Sequence, residues 1–475
     1  MAEVLTPDIC VIGAGSGGLS VAAAAAAFGV PVVLIEKGKM GGDCLNYGCV
    51  PSKALIAAAK RAEGSRRAGP FGIALSRANI DFTKVHGHVH GVIGAIAPVD
   101  SKERFTGLGV HVIAGAARFT DRSTVAVGDA VTIKARRFVI ATGSTPAIPP
   151  IEGLADTPHL TNETIFDLTQ TPEHLIIIGA GPIGLELAQA HRRLGAEVTV
   201  LEAATPLAKD DPECAAIVVD QLAREGVAIR AGVTVVRTER AGAKVRVVIT
   251  ANDKDETIEG SHLLVATGRQ ANVDGLDLEA AGVKYERRGV VVDQGLATSN
   301  RKVFAIGDAV GAAQFTHVAN YHAGIVIRRA LFRLPVKVRD DIIPWVTYTD
   351  PELAHVGLTE EAARQRHRQL RVLRAPFHDN DRAQAERETR GHIKVVTSAK
   401  GVILGATIVG QHAGELITQW TLAIQQQLNI RAVAELIVPY PTLAEISKRA
   451  AIGYFTSSLT SPMLRRVITF LRRFG

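Results

Sequence analysis

The chain has 475 residues, 47% hydrophobic and 21% charged, with 45 glycines, a length for about three domains and a composition that excludes a disordered or fibrous protein. Its 54 basic and 47 acidic residues leave a formal charge of +7. That charge is spread without a long basic block, so no nucleic-acid partner is indicated.

The start, Met1 to Asp8, lacks the basic residues and apolar run of a secretory signal, and a cytoplasmic protein is expected. Residues 9 to 18, Ile-Cys-Val-Ile-Gly-Ala-Gly-Ser-Gly-Gly, form an apolar run ending in Gly-x-Gly-x-x-Gly. The apolar stretch from Leu19 to Ile35 is broken by Gly29 and Pro31, so it reads as helix then strand and not as a membrane span. Residues 175 to 184, Leu-Ile-Ile-Ile-Gly-Ala-Gly-Pro-Ile-Gly, repeat the device, and each copy reaches a glutamate, Glu36 or Glu202, 23 residues after its first glycine. Gly13 and Gly179 allow the strand-to-helix turn, Gly15 and Gly181 admit a pyrophosphate, and Gly18 and Gly184 let helix pack on strand. Two matching copies point to two dinucleotides.

Between the copies lies Gly41-Gly-Asp-Cys44-Leu-Asn-Tyr-Gly-Cys49-Val-Pro-Ser-Lys53, which holds two of the four cysteines where a loop turns into a helix expected over 50–62. Three chemical readings compete with chance. A structural staple closing so short a loop would contribute only about 2 kcal/mol. A zinc site lacks further ligands at finger spacing, since neither Cys10 nor Cys214 supplies them. A redox dithiol is favoured: Lys53 follows Cys49 by one helical turn, and a cation there, with the helix start, favours the thiolate. His86, His88 and His90 alternate further on and could place two histidines on one helix face, but no carboxylate motif joins them, so a solvated helix is expected and no metal is assigned.

Each glycine unit has a later strand, Phe138 to Gly143 and Leu263 to Gly268, and Lys302 to Asp308 forms another that ends on a carboxylate. Pro146 to Pro150 and the residues around Gly275 suggest boundaries. From about Trp345 alternating strands, Val395 to Thr397 and Val402 to Val409, mix with amphipathic helices as in a separate α+β domain. The tail from Met463 to Gly475 is basic and amphipathic. Packing on a dimer is expected for it, with membrane-surface contact the lesser reading. Cys10 reads as core, and His317, His322, His355 and His412 as structural.

The dithiol run, the two glycine units, Ala305-Ile-Gly-Asp308 and Tyr348-Thr-Asp-Pro-Glu-Leu-Ala-His-Val-Gly357 together resemble the class I pyridine nucleotide-disulfide oxidoreductases, over nearly the whole chain. These include dihydrolipoamide dehydrogenase, glutathione reductase and mercuric reductase. The resemblance implies an α/β fold with two Rossmann-like dinucleotide-binding domains and a C-terminal α+β dimerisation domain. The FAD domain would take residues 1–150 and 276–344, the NAD(P) domain 151–275, and the dimerisation domain 345–475. By the same resemblance Gly13, Gly15, Gly18, Glu36, Lys53, Gly143 and Asp308 hold FAD, and Gly179, Gly181, Gly184, Glu202 and Gly268 hold the nicotinamide nucleotide. Lys53 would pair with Glu186 beside the flavin, Cys49 would be the sulfur nearest it, and Cys44 the one that exchanges with substrate. Glu202 has no arginine close behind it and would repel a 2′-phosphate, which favours NAD(H) over NADP(H).

The family's disulfide reductases carry His-Pro and then Glu near the C-terminus, where this chain reads Pro439-Tyr440-Pro-Thr-Leu-Ala-Glu445. A phenol titrates about three units above an imidazole, so Tyr440 donates a proton at neutral pH but is a poor base. Mercuric reductases share the tyrosine but end in a cysteine pair, and no cysteine follows Cys214 here. The expectation is an FAD-dependent NAD(P)H reductase, a homodimer, with a disulfide, metal-ion or quinone acceptor. Its rivals are dihydrolipoamide dehydrogenase, a mercuric reductase-like enzyme and a flavin-bound thiol sensor.

Overall fold

The computed structural model describes residues 3–74, 79–456 and 461–474. The chain divides into two compact bodies. One comprises Met1–Ala180, Ala190–Ala203 and Gly232–Val338, the other Gly181–Gln189, Ala204–Ala231 and Arg339–Gly475.

In the first body a five-stranded parallel sheet runs in the order Val303–Ala305, Arg137–Ile140, Ile9–Ile12, Val32–Glu36, His111–Ala114. Its central strand, Ile9–Ile12, is apolar at every position because both faces are covered. Ile9, Val11 and Leu34 pack with Leu19 and Ala22 of the helix Ser16–Ala27, while Cys10, Ile12 and Val33 meet Phe119, Val125 and Ile133 of an antiparallel layer. Cys10 is fully buried, as its strand position implies, and burial pushes its thiol up. The run from Leu19 to Ile35 is indeed the end of that helix and most of the strand Val32–Glu36. Among the described residues no helix is long and apolar enough to cross a membrane.

The second glycine unit repeats the arrangement. The strand His174–Ile178 lies parallel between Glu197–Glu202 and His262–Val265, just as Ile9–Ile12 lies between Val32–Glu36 and Arg137–Ile140. A three-stranded meander, Thr234–Ala241, Lys244–Ala251 and Lys254–Gly260, covers it. The two return strands lead into short strands that pair with each other, Ser144–Pro146 against Arg269–Ala271, which draws both repeats towards one point.

In the second body five antiparallel strands run in the order Trp345–Thr347, Glu352–Gly357, Ile403–Gly410, His392–Ser398, Leu370–Pro376. Alternation decides which side chain faces which layer. Ile393 and Val395 join the core with Ile417 and Trp420 of the helix Ala413–Gln425, and the Trp420 indole donates to Ser447. Lys394, between them in sequence, meets Asp211, Glu213 and Glu360 instead.

Candidate active site

Gly13 sits where the first strand turns into its helix, at φ +105°, and any side chain there would strike the Ala141 carbonyl. Gly179 does the same at φ +109° against the Ala266 carbonyl. A Cβ on Gly15 or Gly181 would meet no atom within 4 Å, so each turn presents open backbone to a ligand. No side chain caps the helix Ser16–Ala27, which leaves its first amides for an anion. The glutamates behave alike as well. Glu36 accepts from the Ala14 amide at 2.6 Å and Glu202 from the Ala180 amide at 2.7 Å. Each thus braces its own glycine turn and, with about four acceptor sites on a carboxylate, can still accept ribose hydroxyls.

The dithiol segment docks directly on the first turn. The Gly41 amide donates to the Ala14 carbonyl at 3.0 Å, and a Cβ on Gly42 would lie 2.7 Å from the Gly15 Cα. Gly41 and Gly42 both have positive φ, +84° and +61°, so glycine is required for turn and contact together. Asn46 ties the loop back to the carbonyls of Met40 and Gly42.

All four cysteines are free thiols in this structure. Cys49 is the first residue of the helix Cys49–Arg66, and Cys44 lies in the short helix Gly42–Asn46. The Cys44 thiol hydrogen-bonds Cys49, and Thr316, 3.3 Å from the Cys49 sulfur, adds a second hydrogen bond. Against the opposing effect of burial, these and the Lys53 charge push Cys49 down to about 6. The same contact, with burial, pushes Cys44 up. The contact therefore favours the thiolate on Cys49 over Cys44.

Around the pair runs a polar network that the spacing of motifs does not disclose. Asn162 donates to the Asp43 carboxylate at 3.0 Å and to the Tyr47 carbonyl. Arg269 contacts Asp43 at 3.1 Å, donates to Ser144 at 2.7 Å and lies 3.7 Å from Asp308. Ser144 donates to Asp308, whose carboxyl is pushed up by burial. Asp43 stood within the dithiol run and Arg269 directly after Gly268, so their chemistry was visible in sequence though their pairing was not. Gly143 and Gly268 hold positive φ, +70° and +137°, with open space where a side chain would stand. The His322 ring accepts from the Gly307 amide, a structural role as expected.

The residues fit an FAD: an open glycine turn at a helix start, a ribose-competent glutamate behind it, and Asp308 on a loop whose Ile306 lies close to Gly17.

In the second body Tyr440 is exposed and donates to the Asp381 carboxylate at 2.9 Å, which pushes the phenol up. Glu445 opens the helix Glu445–Gly453, and its buried Oε2 has no hydrogen-bond partner among the described residues. Glu186 accepts from the Tyr348 amide at 2.8 Å. The histidine trio lies on the helix Phe82–Ile96. His88 is exposed, but His86 and His90 are half-buried with rings 4.2 Å apart, and His90 contacts the Phe166 carbonyl. That face is partly packed, through the His90 contact with Phe166, and partly solvated. No cluster of three metal-ligating side chains occurs among the described residues.

Two nucleotide turns of one design, with a polarised dithiol seated on the first, define a dinucleotide-dependent dithiol oxidoreductase. Residues 7–323 match the pyridine nucleotide-disulphide oxidoreductase family and residues 343–451 its dimerisation domain. The chain belongs to this family and is an FAD-dependent enzyme that uses a pyridine nucleotide. It is 36% identical to a mercuric reductase of Lysinibacillus sphaericus over 94% of this chain and 82% of that one. It is 37% identical to a dihydrolipoyl dehydrogenase of Geobacillus stearothermophilus over 94% and 95%. Among solved structures it resembles the HOCl-induced flavoprotein disulfide reductase RclA of Escherichia coli, in a Cu(II) complex, with TM-score 0.84 and 27% identity over 95% of this chain and 100% of that one.

Proposed function

We propose that the chain works as a homodimeric, NADH-driven reductase that passes electrons through Cys49 and Cys44 to a disulfide, metal-ion or quinone acceptor. The observation that carries this is the seating of the Gly41–Gly42 turn on the Gly13–Gly15 loop, which sets the dithiol beside the dinucleotide site. Bound flavin supplies the two-electron exchange between reduced nicotinamide and sulfur. The protein's own part is to hold Cys49 as thiolate, through Cys44, Thr316 and Lys53, and to keep the proton on Cys44.

With a disulfide acceptor, the Cys44 sulfur bonds to one acceptor sulfur as its proton goes to the thiol released. The Cys49 thiolate then attacks Cys44, expels the second acceptor sulfur as a thiolate that takes a proton from water, and closes the Cys44–Cys49 disulfide. The sum is NADH, a proton and a disulfide giving NAD⁺ and two thiols. Glu202 supports NADH as donor, since its carboxylate opposes a 2′-phosphate. Tyr440, held by Asp381, would serve as a proton donor to the thiol released from the acceptor.

A soft metal ion is the second reading. It is supported by the names of the mercuric reductase relative and of the Cu(II) complex of RclA.

The test is anaerobic reduction of the FAD-loaded protein by NADH. A long-wavelength absorption band from the Cys49 thiolate against flavin should appear, and lipoamide, glutathione disulfide, mercuric and cupric ions and quinones are then screened for reoxidation. Cys44→Ser or Cys49→Ser should abolish disulfide turnover. Undiminished turnover in either variant would sink the dithiol route in favour of direct transfer from flavin.

A further inference from the structure

None of the residues of the helix Pro462–Leu471 is buried by the described chain. Met463 is 76% and Phe474 74% exposed, and Val467, Phe470 and Leu471 are exposed with them. The side chains nevertheless segregate. At 100° per residue the apolar ones fill an arc of about 160°, while Arg465, Arg466, Arg472, Arg473 and Thr469 occupy the opposite arc. A helix of this length is marginal alone in water, and its stability comes from whatever covers the apolar face.

Two observations choose the cover. No acidic residue follows Glu445, so the last thirty residues carry six cations and no anion. The match to the family's dimerisation domain ends at residue 451, before this helix begins. The helix thus lies outside the segment matched to dimerisation, whereas an anionic bilayer complements the four arginines. Ten residues rise only about 15 Å, half a hydrocarbon core, so such a helix lies in the interface and does not span.

We propose that the helix beginning at Pro462 is an interfacial anchor. It lays Met463, Val467, Phe470, Leu471 and Phe474 into an anionic lipid surface, with the arginines reaching the headgroups, and docks the reductase on a membrane.

The test is flotation of the full-length, FAD-loaded protein with vesicles of phosphatidylcholine alone and of phosphatidylcholine with phosphatidylglycerol. Binding should appear with the anionic vesicles, fall with added salt, and weaken about fivefold for each arginine changed to glutamine, hence more than a hundredfold for all four. Phe470→Asp with Leu464→Asp should abolish flotation, while NADH oxidation in solution stays as in the wild type. Absence of flotation, or equal binding by the four-arginine variant, overturns the proposal. So does a halved molar mass of the aspartate variant in light scattering, which would assign the face to a second copy of the chain.

Discussion

Replacing Thr316 by valine tests the electrostatics of the dithiol most directly. Its hydroxyl stands 3.3 Å from the Cys49 sulfur, and with the Cys44 thiol it is one of two hydrogen bonds that favour the thiolate. A hydrogen bond to a charged group contributes about 1.5–3 kcal/mol. Because Cys49 is open to solvent on one side even though its sulfur is partly desolvated, solvent takes over part of that contribution and roughly 1.4 kcal/mol remains, or about one pKa unit. The Cys49 thiol, held at about 6 in the wild type, should then titrate near about 7, and the thiolate fraction at neutral pH should fall from about nine tenths to about one half. The readout is the rate of iodoacetamide alkylation of Cys49 in the reduced protein against pH, located by peptide mass. Cys10 and Cys214 are buried with their thiols pushed up and stay silent. Thr316→Ser should restore the wild-type midpoint. Superimposed titration curves for wild type and valine variant would refute the reasoning.

Lys394→Met should destabilise the second body by about 3–5 kcal/mol, since it leaves Asp211, buried and 2.7 Å from the lost ammonium, without its cation. The urea midpoint measures this, and a shift worth under about 1 kcal/mol would deny the ion pair its role. His191 is fully buried with neither ring nitrogen partnered among the described residues, and burial pushes it down to about 4. The unfolded chain takes up that proton near about 6.5 and the folded one only near 4, so its contribution is complete above pH 6.5 and is lost as pH falls between these values, by roughly 3 kcal/mol. His191→Leu should flatten urea midpoints across that window, and an unchanged slope would place the acid sensitivity elsewhere. Tyr440→His puts a base near neutrality beside Asp381. If this position serves proton transfer, NAD reduction by dihydrolipoamide should rise at least about tenfold, and an unaltered rate would remove it from the chemistry.

Much of the site was legible because its parts are local. A strand that must turn sharply into a helix needs glycine at Gly13 and Gly179, and the next strand must end within reach of that turn, which fixes Glu36 and Glu202 by chain length alone. The cysteines, Lys53 and the helix that carries them are likewise one short segment whose spacing states its geometry. By contrast, Thr316 reaches Cys49 across 267 residues, and the Asp43–Arg269 contact joins the dithiol loop to the end of the second repeat. Neither follows from periodicity, because spacing along the chain encodes neighbours within an element and not the packing of elements on each other.

The amino-acid order alone determined two nucleotide turns, a reactive sulfur pair and a cationic amphipathic tail, since each is written in adjacent residues. Only the folded chain decided that the sulfurs sit on the first turn, that Thr316 reaches the Cys49 sulfur, and that the tail's apolar face is left bare. Those outcomes depend on distances through space, and such distances are set by how whole layers pack.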